Sequence, residues 1–185
     1  MMRIIGGKYR GRVIKMPGGL DVRPTQDRVR EAIFNVIREK IPGSDVLDLY
    51  AASGAFGIES FSRGALSVAF VDNNTKCIKA IKDNLASLGE SVKTTQILKS
   101  EALMAIDRFR KEGRRFDVVF LDPPYYRDIA KNSLIKMSTC DILSQRSFVI
   151  AEHFKKDVLP REISGIALFK EKRYGDTAVS FYRKK

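Results

Sequence analysis

One segment of the chain combines residue types that could form a catalytic or binding site, and it ends in Asp122-Pro123-Pro124-Tyr125. The residues before it, 116–121, form an apolar run typical of a strand that is buried on both faces. Two prolines prevent further strand pairing and stiffen the backbone. The segment therefore predicts a carboxylate, a rigid carbonyl and an aromatic ring at the carboxyl end of a strand, where open α/β sheets bind ligands.

Three acidic residues upstream also fall at or near predicted strand ends. Asp48 lies within the first predicted strand, Asp72 follows the second, and Glu101 follows the third. An acid after the second strand is the usual means by which a Rossmann sheet holds ribose hydroxyls. Asp72 lies eighteen residues after Gly54, which belongs to the loop behind the first strand, and this is close to the spacing expected of a ribose-binding acid.

The loop 51–57 is made mostly of small residues, but it departs from the fingerprint of nicotinamide dinucleotide binding. That fingerprint, G-x-G-x-x-G, brings backbone amides onto a pyrophosphate, whereas Ala52 stands in place of its first glycine. A nucleoside without phosphate, carrying an amino acid end and a positive sulfur, suits the nearby acids better. S-adenosylmethionine is that ligand. For the loop alone, the alternative is a tight strand-to-helix turn that binds nothing.

Each acid is assigned to one part of this cofactor. We expect Asp72 to hold the ribose hydroxyls, Glu101 or the backbone beside it to contact the adenine, and Asp48 with its loop to surround the methionine portion. The predicted cofactor-binding residues are Asp48, Tyr50, Ala51, Ala52, Ser53, Gly54, Gly57, Asp72, Asn73, Ser100, Glu101 and Ala102.

The elements that must position these residues alternate between strand and helix. This alternation predicts a Rossmann-like, mostly parallel α/β sheet. A hairpin around Gly175-Asp176 adds antiparallel pairing at the carboxyl terminus. Thr25 is expected to cap the first helix. Helices are predicted at 26–40, 58–63, 75–88, 102–110 and 129–143, and strands at 46–50, 68–71, 95–98, 116–121, 148–151, 168–174 and 178–183.

The net charge of +12 is concentrated at the two ends of the chain. Residues 1–30 carry eight Lys and Arg against two Asp and Glu, and residues 155–185 carry nine against four. Basic flanks around a nearly neutral body suit a polyanionic substrate, although basic ends also serve solubility alone.

The amino-terminal segment is predicted to be a small β-ribbon with a basic face that holds phosphates. We expect an appendage at 1–22 and a catalytic domain at 23–185. The predicted RNA-binding residues are Lys8, Arg10, Arg12, Arg23, Thr25 and Arg28.

Composition points away from several other classes of protein. The chain contains no signal peptide pattern and no apolar run long enough to span a bilayer. Cys77 and Cys140 lack the spacing of metal ligands, and the single histidine adds no ligand cluster. We therefore expect a cytoplasmic protein that binds neither a metal ion nor a membrane.

Several motifs resemble one family of enzymes. The tetrapeptide at 122–125 matches the [DN]PP[YFW] motif of class I methyltransferases that act on exocyclic or amide nitrogen. The segment from Arg23-Pro24-Thr25 to Asn35 is similar to the amino-terminal signature of RsmD-type 16S rRNA guanine-N2 methyltransferases. The loop 48–57 and the closing Tyr174-Gly175-Asp176-Thr177 are also similar to that family. The resemblance runs from about residue 3 to residue 183.

The resemblance implies a function and a division of labour. It implies methyl transfer from S-adenosylmethionine to N2 of a guanine in 16S rRNA, either free or within an assembled or assembling 30S subunit, by a monomer. Asp122 and the carbonyl of Pro123 would accept hydrogen bonds from the amine. Pro124 would help to fix the direction of that carbonyl, and Tyr125 would stack on the extruded base. These four residues are the predicted catalytic set.

The sequence departs from the family at two positions and leaves two other functions open. Members usually have Gly at the place of Ala52, and Ala costs roughly 1 kcal/mol if that position needs a positive φ. They usually have Phe at the place of Tyr50. An adenine-N6 DNA or protein amide methyltransferase is one alternative, although such enzymes often begin the tetrapeptide with Asn. A non-catalytic RNA-binding relative is the other, supported by Ala52 alone.

Overall fold

The computed structural model describes residues 2–19, 25–89, 94–124 and 128–185. The predicted site residues Arg23 and Tyr125 lie outside these ranges. The helices are α1 (Asp27–Val36), α2 (Ala55–Ser62), α3 (Thr75–Ser87), α4 (Ala102–Lys111) and α5 (Ile129–Thr139). The strands are β1 (Met2–Arg3), β2 (Val13–Ile14), β3 (Asp45–Leu49), β4 (Ser67–Asp72), β5 (Thr95–Lys99), β6 (Phe116–Leu121), β7 (Leu143–Phe154), β8 (Glu162–Ile163), β9 (Ile166–Tyr174) and β10 (Thr177–Lys184).

Eight of these strands form one sheet in the order β5-β4-β3-β6-β7-β10-β9-β8. The first five strands in this order, β5, β4, β3, β6 and β7, are mutually parallel. The strand β10 pairs antiparallel with both β7 and β9. The prediction of a Rossmann-like sheet with an antiparallel carboxyl-terminal hairpin is therefore confirmed. The chain passes from β3 to one side through β4 and β5, and then returns to the other side through β6. A crevice opens where the connections change direction in this way, beyond the ends of β3 and β6.

Both faces of the sheet are buried. Val118 and Phe120 belong to a core cluster on one face, and the alternate residues Val119 and Leu121 belong to a cluster on the other. The ring of Phe120 stacks on Phe56 of α2 at 4.9 Å between centroids. Burial on both faces explains why β6 reads as a continuous apolar run, without the alternation of a half-exposed strand.

Three predicted helices have wrong boundaries. The helix predicted at 58–63 begins three residues earlier, at Ala55. Thr25 does not cap α1: the N-cap residue is Gln26, without a side-chain hydrogen bond, and the helix ends at Val36 before a short 3-10 turn. Similarly, the helix predicted at 129–143 ends at Thr139, and β7 begins at Leu143. Leu143 pairs with Phe116 of β6. A short apolar run fits either a helix or a strand, and this tertiary pairing decides between them.

The amino-terminal ribbon is short and is fastened to α2. The backbone amides of Ile5 and Gly6 donate to the two carboxylate oxygens of Glu59 at 2.7 and 2.8 Å. The amide of Lys8 donates to the carbonyl of Ser62 at 2.7 Å. Four apolar residues of the ribbon are buried in the same core cluster as the inner face of α1: Met2, Ile4, Tyr9 and Ile14. The division of the chain near residue 22 stays a prediction.

Gly7 permits this close approach. Its φ is +76°, and a Cβ at this position would lie 1.8 Å from the carbonyl oxygen of Ser62. Gly11 has a similar φ of +85°, but a Cβ there would meet no atom within 4 Å. The two glycines therefore share the backbone constraint and differ only in the steric one.

We expect Gly7→Ala to cost clearly more stability than Gly11→Ala. The left-handed backbone alone makes Ala unfavourable by roughly 1 kcal/mol at each position. At Gly7 the clash with Ser62 adds about 2 kcal/mol, because backbone must move to relieve it. Urea denaturation of the two variants measures both losses in the free energy of unfolding. Equal losses would contradict a tight contact between the ribbon and α2.

Candidate functional site

A cleft of about 1010 Å³ lies at the carboxyl edge of the parallel strands. Its wall contains eleven of the twenty predicted site residues that the structure describes, together with parts of α1, α4, α5 and the carboxyl-terminal hairpin. The residues that line it are Thr25, Gln26, Val29, Tyr50, Ala52, Val71, Asp72, Asn73, Asn74, Cys77, Ser100, Glu101, Ala102, Leu103, Met104, Asp122, Pro123, Pro124, Ile129, Asn132, Ser133, Glu152, Tyr174 and Thr177.

Parallel register explains why the polar residues of the cleft meet. Leu49 of β3 is paired with Val71 of β4 and with Leu121 of β6, and Leu121 is paired with Ala151 of β7. The next residue on each strand must therefore stand at the same edge. Those residues are Tyr50, Asp72, Asp122 and Glu152.

Asp122 and Glu152 are joined through a hydroxyl. The Oγ1 atom of Thr25 lies 3.1 Å from Oδ2 of Asp122 and 3.0 Å from Oε2 of Glu152. Desolvation raises the pKa of Asp122 well above its ordinary value, and the nearby charges of Glu152 and Asp48 raise it further, while the Thr25 hydrogen bond opposes them. A carboxyl whose pKa is raised in this way accepts a proton from a substrate more readily than an ordinary carboxyl does.

The other end of the cleft is lined by Asp72 and Glu101. Asp72 accepts from the amide of Ala52 at 2.9 Å through one oxygen and from the amide of Asn74 at 2.8 Å through the other. Asn73 donates to Glu101 at 2.8 Å. Each carboxylate oxygen has a second lone pair, so these acids can accept further hydrogen bonds from hydroxyl or amino groups of a ligand.

The loop between β3 and α2 is strained where it reaches the cleft. Tyr50 and Ala52 have φ values of 72° and 48°, which residues other than glycine rarely adopt. The amides of Tyr50 and Ala51 both donate to the carbonyl of Val71, at 3.1 and 2.9 Å, and hold the loop against β4. From the sequence, Ala52 was expected to cost stability if its φ were positive, and its φ is positive.

Asp48 does not line the cleft. It is buried beneath the loop, where it accepts from the amide of Gly57 at 2.9 Å. Desolvation raises its pKa to about 7, and the charge of Asp72 adds to this. Ala51, Ser53, Gly54 and Gly57 also lie outside the lining. These five predicted residues shape the loop, whereas the other seven predicted cofactor residues line the cleft.

Of the predicted RNA-binding residues that the structure describes, only Thr25 lines the cleft. Thr25 lies in the cleft beside Asp122, while Lys8, Arg10, Arg12 and Arg28 are exposed and do not line it.

Sequence reasoning missed Glu152 as a site residue. It stands at the carboxyl end of a parallel strand, so the argument that found Asp72 and Asp122 applied to it as well. Leu103 and Met104 were missed because nothing in their local pattern separates a ligand-facing apolar side chain from one exposed to solvent. They line the cleft beside Glu101 and are 42% and 68% exposed.

Within the described ranges, no group of three or more His, Cys, Asp or Glu side chains is placed to hold a metal ion. In the same ranges, no helix is both long and apolar enough to cross a membrane.

The sheet order and the site at its switch point define a class I methyltransferase fold. The family described as "Conserved hypothetical protein 95" matches residues 2–183. The chain belongs to this family.

Three relatives show how closely the chain follows known proteins. "Putative rRNA methyltransferase YlbH" of Bacillus subtilis (strain 168) is 37% identical over 184 residues, covering all of both chains. "Ribosomal RNA small subunit methyltransferase D" of Escherichia coli (strain K12) is 30% identical, over 99% of this chain and 90% of that protein. The solved structure of "Putative methyltransferase yhhF" from Escherichia coli has a TM-score of 0.86 at 29% identity, covering 100% of this chain and 98% of that one.

We expect Ala52→Gly to raise the free energy of unfolding by up to about 1 kcal/mol. Glycine removes the steric cost of the positive φ, and part of that gain is offset by the greater freedom of the unfolded chain. Ala51→Gly is the matched control, because Ala51 is buried and is not among the residues with positive φ. That control should lower stability. Chemical denaturation measures both variants, and equal destabilisation would contradict strain at Ala52.

The buried carboxyl of Asp48 predicts a dependence of stability on pH. Its pKa is about 7 in the folded protein and about 3.9 when unfolded. Between these values the folded state holds more protons than the unfolded state, so the free energy of unfolding falls as pH rises. The fall is about 1.4 kcal/mol per pH unit, in total at most about 4 kcal/mol, and it ends above pH 7.

Asp48→Asn should make the decline shallower by the contribution of Asp48, since Asn has no proton to lose and its side-chain oxygen can still accept from Gly57. The raised pKa of Asp122 should leave a decline of its own. Denaturation at a series of pH values between 4 and 8 tests this. Asp83→Asn, which changes an exposed carboxyl on α3, should leave the slope as in the wild type. A wild-type slope in Asp48→Asn would show that Asp48 ionises without penalty.

Proposed function

We propose that this protein is a cytoplasmic enzyme that transfers a methyl group from S-adenosylmethionine to N2 of a guanine in 16S rRNA. The observation that carries the proposal is the continuity of one cleft. It joins Asp72 and Glu101 at one end to Asp122-Pro123-Pro124 at the other. A nucleoside-containing donor and a base can therefore be held side by side, with the acceptor amine next to Asp122.

The residues present fit the donor. Asp72 is oriented by two backbone amides and keeps lone pairs for ribose hydroxyls. Glu101 faces the cleft next to the exposed side chains of Leu103 and Met104, which offer an apolar surface to an adenine ring. The strained loop at Tyr50 and Ala52 would surround the methionine portion. When bound, the donor supplies an electrophilic methyl group on a sulfonium.

Asp122 and Pro123 are proposed to prepare the amine. The lone pair on N2 of guanine is delocalised into the ring, so the amine is a poor nucleophile. The ionised side chain of Asp122 and the carbonyl of Pro123 would each accept a hydrogen bond from one N–H of the amine. These two hydrogen bonds would direct the lone pair at the methyl group. Positioning supplies much of the acceleration, and the fixed acceptors stabilise the positive charge that develops on nitrogen. Pro124 keeps the carbonyl direction fixed, and Tyr125 is proposed to stack on the extruded base.

The RNA is proposed to reach the cleft along the basic amino-terminal segment. Lys8, Arg10 and Arg12 are exposed on the ribbon, and Arg28 is exposed on α1. Such side chains neutralise phosphates and add little base specificity. Arg23 lies in the segment that precedes Thr25 at the cleft and is proposed to join this surface. The relatives named as ribosomal RNA methyltransferases support RNA as the substrate. Monomeric enzyme acting on free RNA or on a 30S particle is part of the same proposal.

The decisive test is methyl transfer from labelled S-adenosylmethionine to 16S rRNA and to 30S particles, followed by nucleoside analysis. We expect the label in N2-methylguanosine. Asp122→Ala should lower the rate by about 1000-fold, because the amine loses its acceptor and base. The matched control Asp83→Asn should transfer at the wild-type rate. Label in N6-methyladenosine would overturn the choice of base, and full activity of Asp122→Ala would overturn the mechanism.

A further inference from the structure

We propose that Glu152 and Thr25 are positioning residues for Asp122: the two carboxyls share one proton across the Thr25 hydroxyl, and when Asp122 is ionised, Glu152 donates a hydrogen bond to that hydroxyl, which donates to Asp122. The proposal rests on the proposed function for its meaning in catalysis. It rests on the geometry of the cleft for the arrangement itself.

Counting protons leads to this arrangement. Thr25 Oγ1 is within hydrogen-bond distance of a carboxyl oxygen on each side, at 3.1 Å from Asp122 and 3.0 Å from Glu152. A threonine hydroxyl carries one proton, so it can donate to only one of the two. The hydroxyl donates to one of the two carboxyls. Its contact with the second carboxyl is a hydrogen bond only when that carboxyl is protonated and donates to Oγ1. The bridge therefore suits a pair of carboxyls that share one proton.

The fold compels the two carboxyls to meet. Parallel pairing of Leu121 with Ala151 places Asp122 and Glu152 side by side on adjacent strands. Glu152 is 6% exposed and lines the same cleft as Asp122. Two ionised carboxylates in such a place repel each other strongly, and sharing one proton relieves the repulsion. Among the residues that the structure describes, the charged groups that act on Asp122 are Glu152 on β7 and Asp48 on β3, and both oppose its ionisation.

The substrate decides which carboxyl holds the shared proton. An amine that donates N–H to Asp122 favours the ionised form of Asp122, so the proton resides on Glu152. During the reaction the N–C bond forms, and the C–S bond breaks with its electron pair going to sulfur. The methylated nitrogen then gives one proton to Asp122. The pair now holds two protons, and one of them passes to solvent as the products leave.

A first experiment needs no RNA. The titration of the Asp122 carboxyl carbon is followed by 13C NMR in the free protein, and Asp122→Asn assigns the signal. Glu152→Gln should move this titration to lower pH, because a like charge is lost. Thr25→Val should move it to higher pH, because the carboxylate loses a donor, while Thr25→Ser should keep it near the wild type. The proposal is overturned if neither Glu152→Gln nor Thr25→Val shifts the titration, or if Thr25→Ser behaves as Thr25→Val.

A second experiment measures single-turnover methyl transfer by two Glu152 variants of similar size. Glu152→Leu cannot donate to Thr25, and its rate should fall by about 10- to 100-fold. In Glu152→Gln the amide N–H replaces the acid O–H and should restore most of the rate. A Gln variant as slow as Leu would mean that Glu152 acts in its ionised form. A Leu variant as fast as wild type would mean that Glu152 is a bystander. Wild-type protein that methylates no RNA would refute the proposed function alone, since the NMR titration still tests the shared proton.

Discussion

Parallel pairing of four strands in a common register is the constraint on which the site depends. Leu49, Val71, Leu121 and Ala151 stand level in the sheet, so the residue after each one must emerge at the same edge. This pairing is stabilised by apolar side chains buried on both faces. The chemistry therefore depends on the core: any change of register in β6 or β7 would separate Asp122 from Glu152.

Acidic side chains that lie close together at one edge repel each other. The hydrogen bonds that local backbone and hydroxyl groups donate to them offset this electrostatic cost. Asp72 is held by the amides of Ala52 and Asn74, Asp48 by the amide of Gly57, and Asp122 by the hydroxyl of Thr25. The positive φ of Ala52 belongs to this arrangement, since its amide is one of the donors. Backbone strain in a loop at a cleft is a common feature of functional sites, where the surrounding structure enforces it.

One buried amide links the amino-terminal ribbon to the loop at the cleft. Asn84 on α3 donates to the carbonyls of both Lys15 and Ser53, at 2.9 and 3.0 Å, and accepts from the amide of Lys15 at 2.9 Å. Lys15 follows the ribbon strand β2, whereas Ser53 belongs to the loop at the cleft. Together with Glu59, which holds Ile5 and Gly6, this amide makes the basic ribbon and the cleft loop parts of one packed unit.

The sequence by itself determined the order of strands and helices, the class of sheet, and which strand ends carry acids, because these follow from hydrophobic period and from the local chemistry of Pro and Gly. It placed Asp72 and Asp122 at the edge where they are found. Only the tertiary structure decided that Thr25 bridges two carboxyls in place of capping α1, that Asp48 supports the loop from below, and that Glu152 stands beside Asp122. Those outcomes depend on which strands become neighbours and in what register. Thr25 lies 97 positions before Asp122 and 127 before Glu152, and these residues meet only through that pairing. Local sequence preferences carry no information about it.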